Sequence, residues 1–332
     1  MQGRKIWGKT QIMKSIYVNP HWARLQQQKE YGEGGTFYFN HEMGDVIYTF
    51  IKRFAGNMDN HEYFDLVTPR GYGGPYIENC TSDEYQQLIL LFDKAFQEYC
   101  NDENIVAEYI RFDPWLKNAN NFAQVYSLKP HGVAYCNNLT MDFFKTEYSA
   151  KKRNDIRRAE KKGVIIEFDR SRNSIDKFLE LYEYTAAKHA LSDYYKLSYG
   201  FLSRYCNTLP HETIFANSVY NEKVISSALI LLGEDIAHYH FAASHPEYSY
   251  LQGNSLLIYK ASVYAEIQGK KLMDLGSAAP GSTLERFKSD FVYRGTKYPI
   301  TVGTRIRNKY VYENLVQQAG NPRQGYFPAY RH

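Results

Sequence analysis

Near the end of the chain, Glu285-Arg286-Phe287-Lys288-Ser289-Asp290-Phe291 sets a lysine between two aromatics, a short Gly/Ser/Pro loop after Asp274-Leu275-Gly276. A lysine at a strand end beside such a loop can stabilise an oxyanion or bind a phosphate. Taken alone, the segment also describes a surface lysine flanked by two core phenylalanines. Pro69-Arg70-Gly71-Tyr72-Gly73-Gly74-Pro75 packs three glycines and two prolines into seven residues. Such a run forms neither helix nor ladder, and it follows a strand, where sites often form. Asn254-Ser255 opens a helix directly after Gly253. Free amides at a helix start bind phosphate or carboxylate, although every helix needs an N-cap and a structural role fits the same two residues.

His238 and His240 share one strand face, with His245 close behind, but no carboxylate or cysteine stands beside them at ligand spacing. No metal is expected. The chain has no G-x-S-x-G, Walker loop, H-E-x-x-H or dinucleotide fingerprint, which removes the common nucleophile, kinase and dehydrogenase readings. Charge is uneven. The formal net charge is +4, yet Lys151 to Lys162 alone holds seven Lys/Arg against two acids, a net of +5, leaving −1 for the remainder. From Glu285 onward, nine basic residues face three acids. Two basic zones suggest a polyanionic partner, and they also describe ordinary solvated surface.

The elements that must position these residues follow from period and punctuation. A short helix over Pro20 to Gln28 leads into a turn at Gly32 to Gly35, then strands at Thr36 to Asn40, Val46 to Phe54 and Phe64 to Thr68. Ser82 to Tyr99 carries apolar residues at helical spacing, with Thr81 and Glu84 as a capping box. Strands follow at Ile105 to Arg111 and Val133 to Asn137. The second half reads as helix (148–162), strand (164–168), two helices (174–190 and 196–206), and three strands (214–220, 223–232, 236–244). It ends in a helix (254–268) and a strand (271–275). Two similar halves of strands, helix and strand suggest a duplicated mixed α/β fold, divided near residue 145. Length fits two domains, at 332 residues. The hydrophobic fraction, 44%, excludes a disordered chain, and the 31 tyrosines suit clefts as well as packing. The longest apolar run, Val224 to Leu232, is too short to span a bilayer, and the first residues do not read as a signal peptide or anchor. Cys80, Cys100, Cys136 and Cys206 stand far apart, which favours a reduced cytoplasmic protein, either free or peripheral at the inner membrane face.

Taken in order, five segments resemble the FemA/FemB/FemX family of aminoacyl-tRNA-dependent transferases that build peptidoglycan bridges. They are Asp65 to Pro75 (DLVTPRGYGGP), Arg153 to Val164 (RNDIRRAEKKGV), Thr185 to Ser198 (TAAKHALSDYYKLS), Tyr239 to Tyr248 (YHFAASHPEY) and Gly269 to Phe291, with its D-L-G and R-F-K-x-x-F. The resemblance implies two tandem acetyltransferase-like (GNAT) domains, 1–145 and 146–304, with the segment from about 305 to 332 returning to the first. It implies no coiled-coil arm, since no heptad hairpin exists here. It further implies that Lys288 and Tyr239 belong to the transfer site. Lys188 falls where many members carry a phosphate-binding Arg, and Arg70 replaces a usual Tyr. Phe287, Tyr72 and Arg70 would join Lys188 at the substrate, while Arg153, Arg157, Arg158, Asn254 and Ser255 would meet tRNA or phosphate.

The expected function is transfer of an amino acid from aminoacyl-tRNA to an amine of a nucleotide- or lipid-linked peptidoglycan precursor, without a cofactor. One alternative is an acyl-CoA- or acyl-carrier-dependent N-acyltransferase on a sugar or natural-product amine. Against coenzyme A stands the loop: Gln252-Gly253-Asn254 does not supply Arg/Gln-x-x-Gly-x-Gly/Ala. A different class is a non-catalytic RNA- or polysaccharide-binding module. The sequence does not reveal a general base.

Overall fold

A computed structural model describes residues 15–189, 196–320 and 325–331. Helix α1 (Pro20–Gln26) starts at Asn19, whose side chain accepts from the His21 amide, with proline at the first helical position. It lies across β1 (Glu33–His41), which pairs antiparallel with β2 (Gly44–Met58); β2 also pairs with β3 (His61–Val67) and β4 (Tyr76–Glu78). The expected turn at Gly32 to Gly35 is instead largely strand. The cause is α1, because a Cβ on Gly34 would stand 2.7 Å from the Ala23 carbonyl carbon and push the helix off the strand.

Helix α2 (Tyr85–Asp102) buries the expected stripe, Leu88, Phe92 and Phe96 among it, and starts after a 3-10 turn in which Thr81 donates to the Glu84 carboxylate at 2.8 Å. Strand β5 (Ile105–Arg111) then lies parallel to β3. After α3 (Asn118–Asn121) comes the long β6 (Ser127–Asn138). Helices α4 (Phe143–Thr146) and α5 (Ala150–Lys161) lead to β7 (Ile165–Asp169), and α6 (Asn173–His189) and α7 (Tyr199–Thr208) lead to the meander β8 (Thr213–Tyr220), β9 (Lys223–Leu232) and β10 (Ile236–Ser244). Asn221 and Glu222 both take positive φ, 47° and 62°, the twist a two-residue hairpin needs. Helix α8 (Gly253–Ile267), β11 (Leu272–Ser277), α9 (Thr283–Ser289), β12 (Lys297–Ile306) and α10 (Lys309–Ala319) complete the order.

Among the described residues all strands form one 12-stranded sheet, ordered β1-β2-β3-β5-β12-β6-β11-β10-β9-β8-β7 with β4 beside β2. The order is nearly palindromic. Three antiparallel strands, helix α2 and parallel β5 recur as β8 to β10, α8 and parallel β11. At the centre the halves exchange strands: β6 pairs with β11, β12 pairs with β5, and β6 and β12 pair with each other. This is the expected mixed α/β architecture of two tandem GNAT-like halves, without a coiled-coil arm among the described residues. Strand β12 and helix α10 do not appear in the sequence reading. Lys-Tyr-Pro-Ile-Thr-Val-Gly-Thr-Arg-Ile starts near a proline and contains a glycine, and its pairing partners lie far away in sequence. Helices α5 and α8 pack on one face of the second half and α6 and α7 on the other, each over a buried apolar cluster.

Candidate active site

Strands β10 and β11 run side by side only at Ile236–Leu272, Ala237–Met273 and His238–Asp274, although both continue beyond these pairs. Parallel strands that part in this way open a gap at their carboxyl ends, where ligands of α/β sheets bind. Two local features drive them apart. In β10 the pairing with β9 shifts between Tyr239 and Phe241, so His240 and Phe241 face the same side while Tyr239 packs into the opposite cluster. In β11, Gly276 adopts φ +73° and turns the chain toward α9; a Cβ there would stand 3.3 Å from Lys288 Nζ.

Lys288 is buried at this mouth and donates to the Ser277 carbonyl at 2.8 Å. It stands in helix α9, not at a strand end as expected; Ser282 caps that helix by accepting from the Glu285 amide. Burial pulls its ammonium down to about 8, with Asp274 opposing. Asp274 accepts from the Gly276 amide at 2.6 Å and lies 3.0 Å from His238 Nδ1, both side chains being buried. Sequence spacing hides this carboxylate from the histidine 36 residues away; parallel pairing delivers it.

The first half supplies the facing wall. Arg111, the last residue of β5, donates through Nη2 to Ser277 Oγ at 3.2 Å and lies over the Tyr72 ring at 4.9 Å. Tyr72 is held by the glycine-rich loop, in which Gly71 has φ +106° and leaves no room for a Cβ against Tyr17. The Arg70 carbonyl accepts from Trp22 Nε1 at 2.8 Å, and its guanidinium lies over Phe241 at 4.9 Å.

A second compartment opens at the start of α8. Its cavity of about 160 Å³ is lined by Ser226, His245, Tyr248, Asn254, Ser255 and Phe287 among others. Helix α8 begins without a side-chain cap, after Gln252 in the left-handed region. Lys152 reaches in from α5, donating to Ser255 Oγ at 3.1 Å beneath the rings of Phe287 (4.3 Å) and Phe291 (4.6 Å). Burial draws its ammonium down to about 8, with Asp290 opposing. Buried Asn254 Oδ1, Ser226 Oγ and His245 Nδ1 have no hydrogen-bond partner among the described residues. A buried cation, a helix start and unsatisfied polar atoms suit an anionic group.

The sequence-predicted residues therefore do not gather in one place. Lys288 and Tyr72 come together through Arg111 and Ser277. Phe287, Asn254 and Ser255 line the α8 compartment, so α9 sends Phe287 to one compartment and Lys288 to the other. Tyr239 packs under α5 and α8, where burial raises its hydroxyl pKa. Arg153, Arg157 and Arg158 do not line the α8 compartment: Arg153 donates to the Tyr148 carbonyl, and Arg157 and Arg158 are exposed on the outer face of α5. Lys188 stands on α6, but its side chain lies outside the described residues. Sequence reasoning missed Arg111, the His238–Asp274 pair and Lys152. A signal for Lys152 existed, because it shares helical spacing with the buried Ile156 and Ala159.

Residues 148–289 match the family model described as Acetyltransferase (GNAT) domain. Among curated proteins none matches the chain. Among solved structures, a crystal structure of FemX is similar over 90% of this chain and 94% of its own, at 12% identity and a TM-score of 0.69. L-PGS from Bacillus licheniformis is similar over 92% and 98%, at 15% identity and a TM-score of 0.53. A conserved protein from Bacteroides thetaiotaomicron is similar over 89% and 94%, at 12% identity and a TM-score of 0.57. At these identities each likeness is one of fold. Residues 148–289 thus resemble an acetyltransferase (GNAT) domain, within a FemX-like fold that extends over nearly the whole described length of the chain.

Proposed function

We propose that the protein is an acyltransferase that moves an amino acid from aminoacyl-tRNA to an amine of a nucleotide- or lipid-linked peptidoglycan precursor. The observation that carries this reading is Lys288, a buried cation anchored on the Ser277 carbonyl at the mouth of the β10–β11 gap. The acceptor amine attacks the ester carbonyl and a C–N bond forms. Negative charge grows on the carbonyl oxygen, where a fixed ammonium in a dry site stabilises it strongly. The C–O bond to ribose then breaks, and the proton shed by the amine ends on the departing ribose hydroxyl. No protein nucleophile enters the scheme. In this reading Tyr72 and Arg70 shape the acceptor wall, Tyr239 supports the gap from beneath, and Lys188 adds a cation for the acceptor's phosphate. Residues 1–145 and 146–304 form the two units, with the end of the chain returning to the first. The work is cytoplasmic, at the inner membrane face when the acceptor is lipid-linked.

One observation favours a coenzyme A donor as a second reading: the α8 compartment, with Lys152 on Ser255, suits a diphosphate. Labelled aminoacyl-tRNA and labelled acetyl-CoA, each offered with a pool of amine acceptors, separate the two. Label moving from tRNA is expected; label moving only from acetyl-CoA overturns the first reading in favour of the second.

A further inference from the structure

The first half repeats the parallel pair of the second, and a cavity opens at the equivalent place. Strands β3 and β5 stay paired up to Val67–Tyr109, and beyond them lies a cavity of about 250 Å³ lined by Glu30, Thr68, Arg70, Tyr109 and Arg111 among others. Carboxyl ends of parallel strands are where ligands settle in sheets of this kind. The lining holds two arginines against one glutamate, so the cavity is net positive.

Arg111 is the informative member. Its Nε is buried with no hydrogen-bond partner among the described residues, and Arg111 forms no ion pair with a carboxylate among them. A guanidinium that is partly desolvated without an anion is unfavourable unless a ligand supplies one. Its fork suits a carboxylate or a phosphate held through two parallel bonds. Arg111 Nη2 and Lys288 Nζ both bond to Ser277, at 3.2 Å on the hydroxyl and 2.8 Å on the carbonyl. The two cations therefore stand within roughly 10 Å of each other, a span that an acceptor with its amine a few bonds from an oxyanion can bridge.

We infer that this cavity takes an oxyanion of the acceptor, a carboxylate or a phosphate, on Arg111, and that this contact sets the acceptor amine at Lys288. The placement beside Lys288 rests on the acyl-transfer reading; the anion site itself does not.

The test measures binding alone, with no donor present, on the full chain by calorimetry and thermal shift. The probes are Nα-acetyl-lysine, its N-methylamide, which lacks the carboxylate, and inorganic phosphate. Nα-acetyl-lysine or phosphate is expected to bind, and the methylamide is not. Arg111→Gln should weaken the bound probe by roughly thirtyfold or more, as loss of one partner of a buried charge pair does. Arg111→Lys keeps the charge, loses the fork and should fall between. Glu30→Gln removes the one acidic lining group and should tighten binding severalfold, which keeps the test decisive if Arg111→Gln does not fold. Binding by phosphate but not by the carboxylate would name phosphate as the oxyanion. Binding by neither probe, equal binding by the methylamide, or unchanged affinity in Arg111→Gln or in Glu30→Gln overturns the site. Failure of the transfer reading alone would leave these affinities intact.

Discussion

Lys288 is a charge kept in a place that disfavours charge. Its Nζ has one backbone acceptor, Ser277, and its electrostatic support comes from Asp274, which also holds His238. Replacing it with methionine preserves length and removes the cation. Lys288→Met is expected to lose on the order of a hundredfold or more in turnover with a cooperative melt retained; near-normal turnover would remove the lysine from the mechanism. The depressed pKa adds a pH signature. A cation at the oxyanion is needed protonated, so turnover should fall as pH rises through about 8. Stability must move the other way. For Lys288 and Lys152 the folded value of about 8 lies below the unfolded value of 10.5, so the folded state carries fewer protons between them. The penalty of burying the two charges is in full force below about 8 and is relieved as pH climbs, by at most about 1.4 kcal/mol per unit for each lysine. Melting temperature measured from pH 8 to 9 should therefore hold or rise while the rate drops. A parallel fall of both would mean unfolding, not titration.

Elements place these residues by small backbone devices. The gap depends on Gly276, whose positive φ turns β11 into the loop before α9 and brings the chain against Lys288. Gly276→Ala forces an alanine into the left-handed region, about 1–2 kcal/mol of strain, and sets a methyl against the ammonium. We expect a modest drop in melting temperature and a loss of turnover larger than that drop explains, measured on the same preparation; unchanged turnover would show that the gap tolerates a shifted Lys288. How much of this was legible depends on whether a signal was local. The hairpin β9–β10 and strand β5 match their sequence assignments because alternation and turn chemistry are local. Strand β12 was illegible because its stability comes from β5 and β6, far away in the chain. Phe287 and Lys288 were legible from their motif, but their division between two compartments follows from a helix where a strand end was expected. Lys152 was overlooked because a run of seven basic residues reads as solvated face, whereas one of them lies on the apolar stripe.

The whole molecule decides which of its charges remain for a partner. Part of the basic end of the chain is committed internally: Arg307 bridges Asp93 and the buried Glu108, Arg305 joins Asp93, and Arg331 meets Asp65, which Arg53 also holds. These pairs fasten the returning segment to the first half, next to α10, whose Val311 and Leu315 join the cluster of Val106 and Ala107. Arg286, Arg294, Lys297 and Lys309 stay exposed, so this zone has a claim to a polyanion beside that of the α5 helix. Even there Lys152 is buried, Lys151 pairs with Asp155 at 3.0 Å, and Arg153 is tied to Tyr148. Arg157, Arg158 and Lys161 stand exposed on the outer face. If the donor is a charged tRNA, this face should contact its backbone, and each contact releases roughly one counterion. Arg157→Glu, Arg158→Glu and Lys161→Glu together should flatten the slope of log affinity against log salt by about 2 to 3, read by filter binding of aminoacyl-tRNA between roughly 50 and 200 mM salt. Arg153 is left intact, since reversing it would disturb the Tyr148 carbonyl and confuse folding with binding. If coenzyme A is the donor, its few phosphates meet the start of α8 instead, the same triple change should leave its affinity nearly untouched, and free coenzyme A should raise the melting temperature as a ligand of the native state. A thermal shift with coenzyme A, joined to an unchanged salt slope for tRNA in the triple variant, would assign α5 to solvated surface and the α8 compartment to the donor.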